Sequence, residues 1–247
     1  MKKLAIALSK GGVGKTTTAI SLAAGLAKAG KTVLLIDADT QGQVSRSFNA
    51  KPKLGLAEFV SGEAEFIDAC IPVRENLWLL GGGRAMAGLL RIISRIDVGG
   101  ERILAERLQE IDRRYTYVIM DTAPGWDALT VNILFYADEV LSPVSLEAMT
   151  LHGLVEFSRS ISTIQKFNPS LKLKNILPTF YDRRVRKSDE ILTQLVAYFG
   201  DIVCSPIRYN VRLSEAPGNG ETIFEYAPNS PGAEDYNKLT ERIISDE

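Results

Sequence analysis

The stretch SKGGVGKTTTAISL, residues 9–22, sets three glycines and two lysines between the apolar run LAIAL at 4–8 and an alanine-rich segment. A short buried strand, a glycine turn and a helix, in that order, make a ready anion site. Gly11, Gly12 and Gly14 let backbone N–H groups turn inward, and a helix starting near Lys15 aims its positive end at the same point. Lys15 is expected to reach the β- and γ-phosphates of a nucleotide, and the Thr16 hydroxyl to ligate Mg2+. Val13 and Thr17 belong to the same loop and join its lining. The strict GxxxxGK(S/T) pattern fails, because Ser9 stands where its first glycine belongs. Lys10 is the additional feature. One lysine suffices to hold a phosphate, so the loop by itself leaves Lys10 either a second functional cation or a solvated loop lysine.

Outward from the loop, apolar runs and helical patterns alternate to the end of the chain. Ala19, Ile20, Ala23, Leu26 and Ala27 share a helical face, and Gly30 suits the left-handed residue that closes such a helix. Strands are predicted at TVLLID (32–37), NLWLL (76–80), YTYVIM (115–120), DEVLSPV (138–144), LKNILPTF (173–180) and a short DIVCS (201–205). Helices are predicted over 101–112, 147–166, 187–199 and 232–244. Strands this apolar are covered on both faces. That predicts an α/β fold, a mostly parallel twisted sheet with helices on both faces, and the glycine loop after its first strand makes it one of the P-loop NTPase kind. With no proline-, glycine- or serine-rich linker, no repeat and no low-complexity tail, residues 1–247 read as a single domain.

The bulk numbers narrow the function classes. A chain of 247 residues with 45% hydrophobic and 24% charged content is ordinary for a globular protein. A net charge of −1 requires any affinity for nucleic acid or anionic lipid to come from a local patch. Cys70 and Cys204 are far apart without CxxC spacing, which argues against a metal knuckle or a disulfide framework. MKKLAIAL opens like a signal peptide, but its apolar run is too short and leads into lysine and glycine rather than a cleavage site. No apolar stretch approaches the roughly 20 residues of a membrane span. A cytoplasmic protein is expected.

The quoted loop resembles the deviant Walker A motif of the ParA/MinD family of ATPases. VLLIDADTQGQ (33–43) is similar to that family's DxDPQG motif, and YVIMDTAPG (117–125) resembles its Walker B strand. VRLSEAPGNG (211–220) and SPGAEDYNKL (230–239) resemble C-terminal segments of the chromosomal ParA (Soj) branch, so the resemblance covers nearly the whole chain. It implies that Lys10 is a signature lysine that reaches across an ATP-sandwiched homodimer to the phosphates on the other subunit. A cation delivered in that way neutralises developing charge only while the dimer is assembled.

Three carboxylates complete the expected site. The resemblance implies that Asp39 positions or activates the attacking water. Asp37 would lie close to Mg2+, and Asp121 would hold the metal through water. Taken singly, each acid could be an N-cap of the following helix; together with a phosphate loop in one parallel sheet they converge on one site. Two departures stand out: Thr40 replaces the proline after Asp39, and DTAPG replaces the common DxPP. Gln41 is a candidate contact to phosphate or to the dimer partner. TFYDRR (179–184) and CSPIRYN (204–210) resemble the family's base-binding loops, with Pro206 a candidate contact and Asp182 either an acceptor for the adenine amino group or a helix cap.

DRRVRK supplies Arg183, Arg184, Arg186 and Lys187 ahead of the helix at 187–199, and IRYNVR adds Arg208 and Arg212. On the residues alone this is either a solvated helix start or an electrostatic surface for nucleic acid. The resemblance implies non-specific binding of double-stranded DNA through residues matching Arg184, or Arg183 in its place, and Arg212. It further implies chromosome or plasmid partition or cargo positioning, nucleoid association, and a ParB-like or cargo-adaptor partner that stimulates hydrolysis. With the loop beginning within ten residues of Met1, the small branch without an operator-binding domain is expected.

Three alternative functions lack the residues they would require. A membrane-associated regulator resembling MinD would need a basic amphipathic tail, whereas this chain closes on NKLTERIISDE. An electron carrier resembling the nitrogenase iron protein would need a cysteine pair that Cys70 and Cys204 do not supply. A metabolic ligase on the same fold would need a carboxylate or amine pocket, and no residues suggest one. His152 is expected to be a surface or core residue of a helix, not a catalyst.

Overall fold

The computed structural model describes residues 1–147 and 149–246. Seven strands form one sheet: β1 (Lys2–Ile6), β2 (Val33–Asp37), β3 (Cys70–Arg74), β4 (Leu77–Leu80), β5 (Tyr117–Asp121), β6 (Glu139–Ser145) and β7 (Lys172–Thr179). Their order is β3-β4-β2-β5-β1-β6-β7, parallel throughout except for the antiparallel β3–β4 pair. Alternate residues of each strand face opposite layers. Leu4 and Ile6 join one apolar cluster while Ala5 and Ala7 join the other. Both faces are therefore buried, as the continuous apolar runs require.

Helix α1 (Lys15–Lys28) leaves the phosphate loop and closes at Gly30, whose φ of 80° is the left-handed geometry expected of it. Short helices α2 (Gln43–Ser47), α3 (Leu56–Ser61) and α4 (Phe66–Ala69) follow β2. After β4 come α5 (Met86–Ile93) and α6 (Ile103–Leu108); after β5, α7 (Ala128–Tyr136); after β6, α8 (Thr150–Ile164). The C-terminal part adds α9 (Arg186–Phe199), α10 (Arg212–Glu215), α11 (Ile223–Tyr226) and α12 (Pro231–Ser245). Ser230 caps α12 by accepting from Ala233 N at 3.2 Å, and Pro231 takes the first helical position. The apolar stripe of α12, with Tyr236, Leu239 and Ile243, packs into the α1 side of the sheet. Gly25 lets the two helices close, since a Cβ there would collide with Thr240 Oγ1.

Several elements differ from the sequence expectation. The 101–112 helix is divided into a 3-10 turn (Gly100–Arg102), α6 and a second 3-10 turn (Gln109–Ile111). The Asn132 side chain holds the division, accepting from Leu104 N at 3.0 Å and donating to Gly100 O at 2.9 Å. The helix predicted over 147–166 spans Thr150–Ile164; position 148 lies outside the described residues. DIVCS (201–205) is not a strand. It makes one isolated bridge, Val203 to Ile176, beside a 3-10 turn, and Pro206 has no N–H with which to extend a ladder. Strand β3 carries no sequence signal, because it is a half-buried edge that contains Pro72. Helix α7 is apolar on nearly every side, so it shows no amphipathic period.

Candidate nucleotide site

The site lies at the carboxyl ends of the central strands, where β1 has β5 on one side and β6 on the other. Gly12 and Gly14 sit at φ 71° and 86°, backbone that only glycine adopts without strain. Val13 is buried beneath the loop and anchors it, with its carbonyl accepting from Thr179 Oγ1 at 3.0 Å. Gly125 N donates to Ser9 O at 2.9 Å, tying the segment after β5 to the loop. The first turn of α1 carries no acid and no side-chain cap, so its N–H groups are open to an anion. A cleft of about 790 Å³ opens here, lined by Gly11, Gly12, Gly14, Lys15, Thr16 and Thr17 on one wall.

The two lysines have different surroundings. Lys15 is buried and its ammonium donates to Lys10 O at 2.8 Å, back across the loop. Burial lowers its pKa, against the pull of Asp121 and Asp39. Lys10 points the other way, to Glu147 Oε2 at 2.7 Å and Ser145 Oγ at 3.3 Å, and its side chain is 47% exposed. An ion pair this open contributes about 0–1 kcal/mol.

The structure also separates the acids. Asp37 and Asp121 stand opposite each other in the β2–β5 register, both fully buried. Asp37 Oδ1 accepts from Asp39 N at 3.0 Å and Oδ2 from Val44 N at 3.2 Å, so its oxygens hold the following loop and the first turn of α2. Burial raises its pKa to about 6, with those two backbone bonds acting against the shift. Neither oxygen of Asp121 has a hydrogen-bond partner. Burial pushes this carboxyl well above the carboxylate range and the Asp37 charge adds to the effect; the Thr16 hydroxyl, near it but outside hydrogen-bond geometry, and Lys15 act against it. Asp39 lines the cleft, with Oδ1 taken by Gln41 N at 2.9 Å.

An unpartnered buried carboxylate beside a lysine and a threonine hydroxyl fits a hydrated cation. No group of three or more His, Cys, Asp or Glu that could hold a metal occurs among the described residues. Magnesium keeps water and takes ligands from phosphate, so a sparse oxygen donor set suits it; Thr16 and Asp121 are the residues here that could hold it, the first directly and the second through water. Each Asp37 oxygen already accepts one N–H, whereas both Asp121 oxygens are without a partner.

The lining also contains residues that motif reading did not single out: Phe180, Tyr209, Asn210 and Tyr236. Phe180 is exposed and held at φ 55°, an uncommon geometry for an aromatic residue and the kind of outlier that marks a functional site. Tyr181 N donates to Ile207 O and Tyr209 N to Tyr181 O, pinning the two expected base loops together. Pro206 lies outside the lining, which begins at Ile207 on that loop. Asp182 accepts from the Arg184 backbone N at 3.0 Å and pairs with its guanidinium at 2.7 Å, so it closes its own turn.

The bridge between Tyr181 and Arg208 sets the two basic segments side by side. Several of their cations already have acids: Arg186 pairs with Glu190 at 3.1 Å and Arg212 with Glu215 at 2.8 Å. Both pairs are exposed, as are Arg183 and Lys187. Arg208 is different. It grips Asp235 through Nε and Nη2 and Glu234 through Nη2, fastening the 204–212 loop to α12. His152 is on the surface of α8, 3.2 Å from Glu156.

A glycine loop between a buried strand and a helix, an inward lysine and acids at neighbouring strand ends define a P-loop nucleoside triphosphatase. Comparison with known proteins narrows this. The AAA domain family model matches residues 1–173. The chain is 36% identical over 247 residues to the chromosome-partitioning ATPase Soj of Thermus thermophilus, covering 99% of this chain and 96% of the relative. It is 36% identical over 259 residues to the chromosome partitioning protein ParA of Caulobacter vibrioides, covering 100% and 95%. Among solved structures, cobyrinic acid a,c-diamide synthase from Mycobacterium smegmatis with bound ATP analogue and magnesium is similar at 31% identity and TM-score 0.84, covering 99% of this chain and 94% of that one. The chain belongs to the Soj/ParA family of chromosome-partitioning ATPases.

Proposed function

We propose that the protein hydrolyses ATP with Mg2+ and uses ATP-dependent dimerisation to hold non-specific DNA, releasing it when a ParB-like or cargo-adaptor partner stimulates hydrolysis. The observation that carries this reading is the opposite orientation of the two lysines. Lys15 is turned into its own cleft, whereas Lys10 lies outward on a weak pair with Glu147 that a second subunit's phosphates would readily displace.

Bound Mg2+ neutralises charge that develops on the transferring phosphoryl group. The backbone N–H groups of residues 11–16 and the Lys15 ammonium hold the phosphates in line. Asp39 keeps Oδ2 clear of the Gln41 contact and orients a water, whose oxygen attacks the γ-phosphorus as the bond to the bridging oxygen breaks. Lys10 of the second subunit stabilises the same charge from the opposite side, so hydrolysis waits on dimerisation. The base lies between the 179–184 and 204–210 loops, against Phe180 and Tyr209. Dimerisation doubles the basic surface of Arg183, Arg184, Arg186, Lys187 and Arg212, which converts weak phosphate contacts into retention.

Two other readings fare worse. The apolar stripe of α12 packs into the α1 side of the sheet and is not presented to a lipid surface. No helix among the described residues is long and apolar enough to cross a membrane. An amide-forming reaction fed by glutamine would need a thiolate, and burial pushes both Cys70 and Cys204 up to about 11.

The deciding experiment is retention on a non-specific duplex with ATP, with ADP and without nucleotide, for wild type and Lys10→Ala. ATP-only retention that vanishes in the variant is expected. Retention that ignores nucleotide, or survives the loss of Lys10, overturns the dimer-switched reading.

A further inference from the structure

The glycines at 81–83 follow β4 and have no part in the phosphate loop. Because β4 is parallel to β2, with Leu80 beside Ile36, the run crosses directly against the segment that carries Asp37 and Asp39. It is held at both ends: Gly81 O accepts from Leu56 N at 2.8 Å, and Gly83 O accepts from Met86 N at 3.0 Å at the start of α5. Between these anchors Gly83 N donates to Asp39 O at 3.0 Å, and Gly42 N donates to the same carbonyl at 3.2 Å. Gly82 makes the closest approach. A Cβ there would stand 2.5 Å from Asp37 O, 2.8 Å from Asp39 O and 3.0 Å from Asp37 Oδ1. No other residue fits without moving backbone that leads into the site.

The Asp39 loop needs such a support. Thr40 occupies the place where the resembled pattern has proline, so the ring that would limit φ at that position is missing. Among the described residues the side chain of Asp39 is restrained by one bond, from Gln41 N; its backbone N donates to Asp37 Oδ1, and its carbonyl accepts from Gly42 N and Gly83 N.

We propose that Gly82 is a positioning residue for hydrolysis: the strap 81–83 closes without side chains on the Asp37 and Asp39 carbonyls and so fixes the loop that aims the Asp39 carboxylate. The proposal rests on the reading of Asp39 as the residue that orients water. It makes the rate of the chemical step depend on a glycine that does not line the cleft.

The test is a double-mutant cycle in the full chain, with single-turnover hydrolysis of labelled Mg-ATP and affinity for a fluorescent ATP analogue as readouts. Gly82→Ala should slow hydrolysis by about 10- to 100-fold, the scale of an ångström-sized misplacement. Its nucleotide affinity and the Mg2+ concentration for half-maximal rate should stay within about twofold of wild type, because the added Cβ meets the Asp37–Asp39 segment and not the phosphate loop, Thr16 or Asp121. Gly82→Ala/Asp39→Ala should be no slower than Asp39→Ala alone, since a displaced loop cannot misplace a carboxylate that is gone. If Gly82→Ala is insoluble, Gly83→Ala carries the same cycle: it has open space around its Cβ but a φ of 123° that strains the strap. A folded Gly82→Ala at wild-type rate, or losses that multiply in the double variant, overturns the proposal. A wild-type rate in Asp39→Ala instead overturns the reading of Asp39, even if Gly82→Ala is slow.

Discussion

Arg208 was expected from sequence to face DNA, and the structure makes it a clamp, so Arg208→Ala separates the two roles. Asp235 keeps 7% of its side chain exposed and Arg208 keeps 30%, which makes Asp235 the buried partner. Removing one member of a fully buried pair costs about 3–5 kcal/mol, because the other charge stays desolvated. Here water still reaches the arginine side of the pair, and Glu234, at 56% exposed, adds little. The expected loss is therefore about 2–3 kcal/mol. For a chain of 247 residues that lowers the melting temperature by about 4–12 °C. Urea unfolding of the nucleotide-free protein measures the loss directly, and adding Asp235→Asn completes a cycle whose coupling should account for most of it. Arg186→Ala is the control, since its pair is an exposed i,i+4 contact worth about 0.3–0.5 kcal/mol. An Arg208→Ala protein within about 0.5 kcal/mol of wild type that nevertheless loses DNA would refute the clamp and return Arg208 to the binding surface.

Other expectations concern the acids, the α1–α12 contact and the basic surface. Between the ordinary carboxyl value of 3.8 and the folded value of about 6, the native state binds a proton at Asp37 that the unfolded chain has released. Stability contributed by this group therefore falls as pH rises through that window, by about 3 kcal/mol in all; Asp37→Asn should flatten this part of the stability–pH curve, and an unchanged slope would be contrary evidence. Asp121→Asn should abolish Mg-ATP hydrolysis without lowering the melting temperature of the nucleotide-free protein, because the carboxylate it replaces has no hydrogen-bond partner to lose. Gly25→Ala should destabilise by about 1–2 kcal/mol, overpacking against Thr240 exceeding the gain in helix propensity, with partial recovery in Gly25→Ala/Thr240→Ala. Arg212→Ala should leave ATP-dependent dimerisation intact while the log–log salt slope of DNA binding flattens by about two units per dimer; an identical slope would locate the DNA surface elsewhere.

What could be read from the chain alone was local. The phosphate loop is contiguous, so its glycines, Lys15, Thr16 and the strand and helix on either side declare themselves within residues 4–28. The buried parallel strands were equally plain, because a segment covered on both faces must be apolar at every position. Signals failed where burial was partial or uniform: β3 is a half-buried edge with a proline in it, and α7 is apolar all round. Asp37 and Asp121 look alike as acids at strand ends. Only the fold distinguishes them, by giving the oxygens of Asp37 to N–H groups of its own following loop and of the first turn of α2, and leaving Asp121 without a partner across the sheet.

Fold class followed from the order and period of neighbouring residues, and the family from the resemblance of contiguous motifs to those of known ATPases. Tertiary structure decided which charges are available. The pairing of Arg208 with Asp235, the seat of Lys10 on Glu147 and the closure of Gly82 on the Asp39 loop all join segments distant in sequence. Such contacts follow from strand register and the crossing of helices, and residue periodicity reports burial without naming the partner.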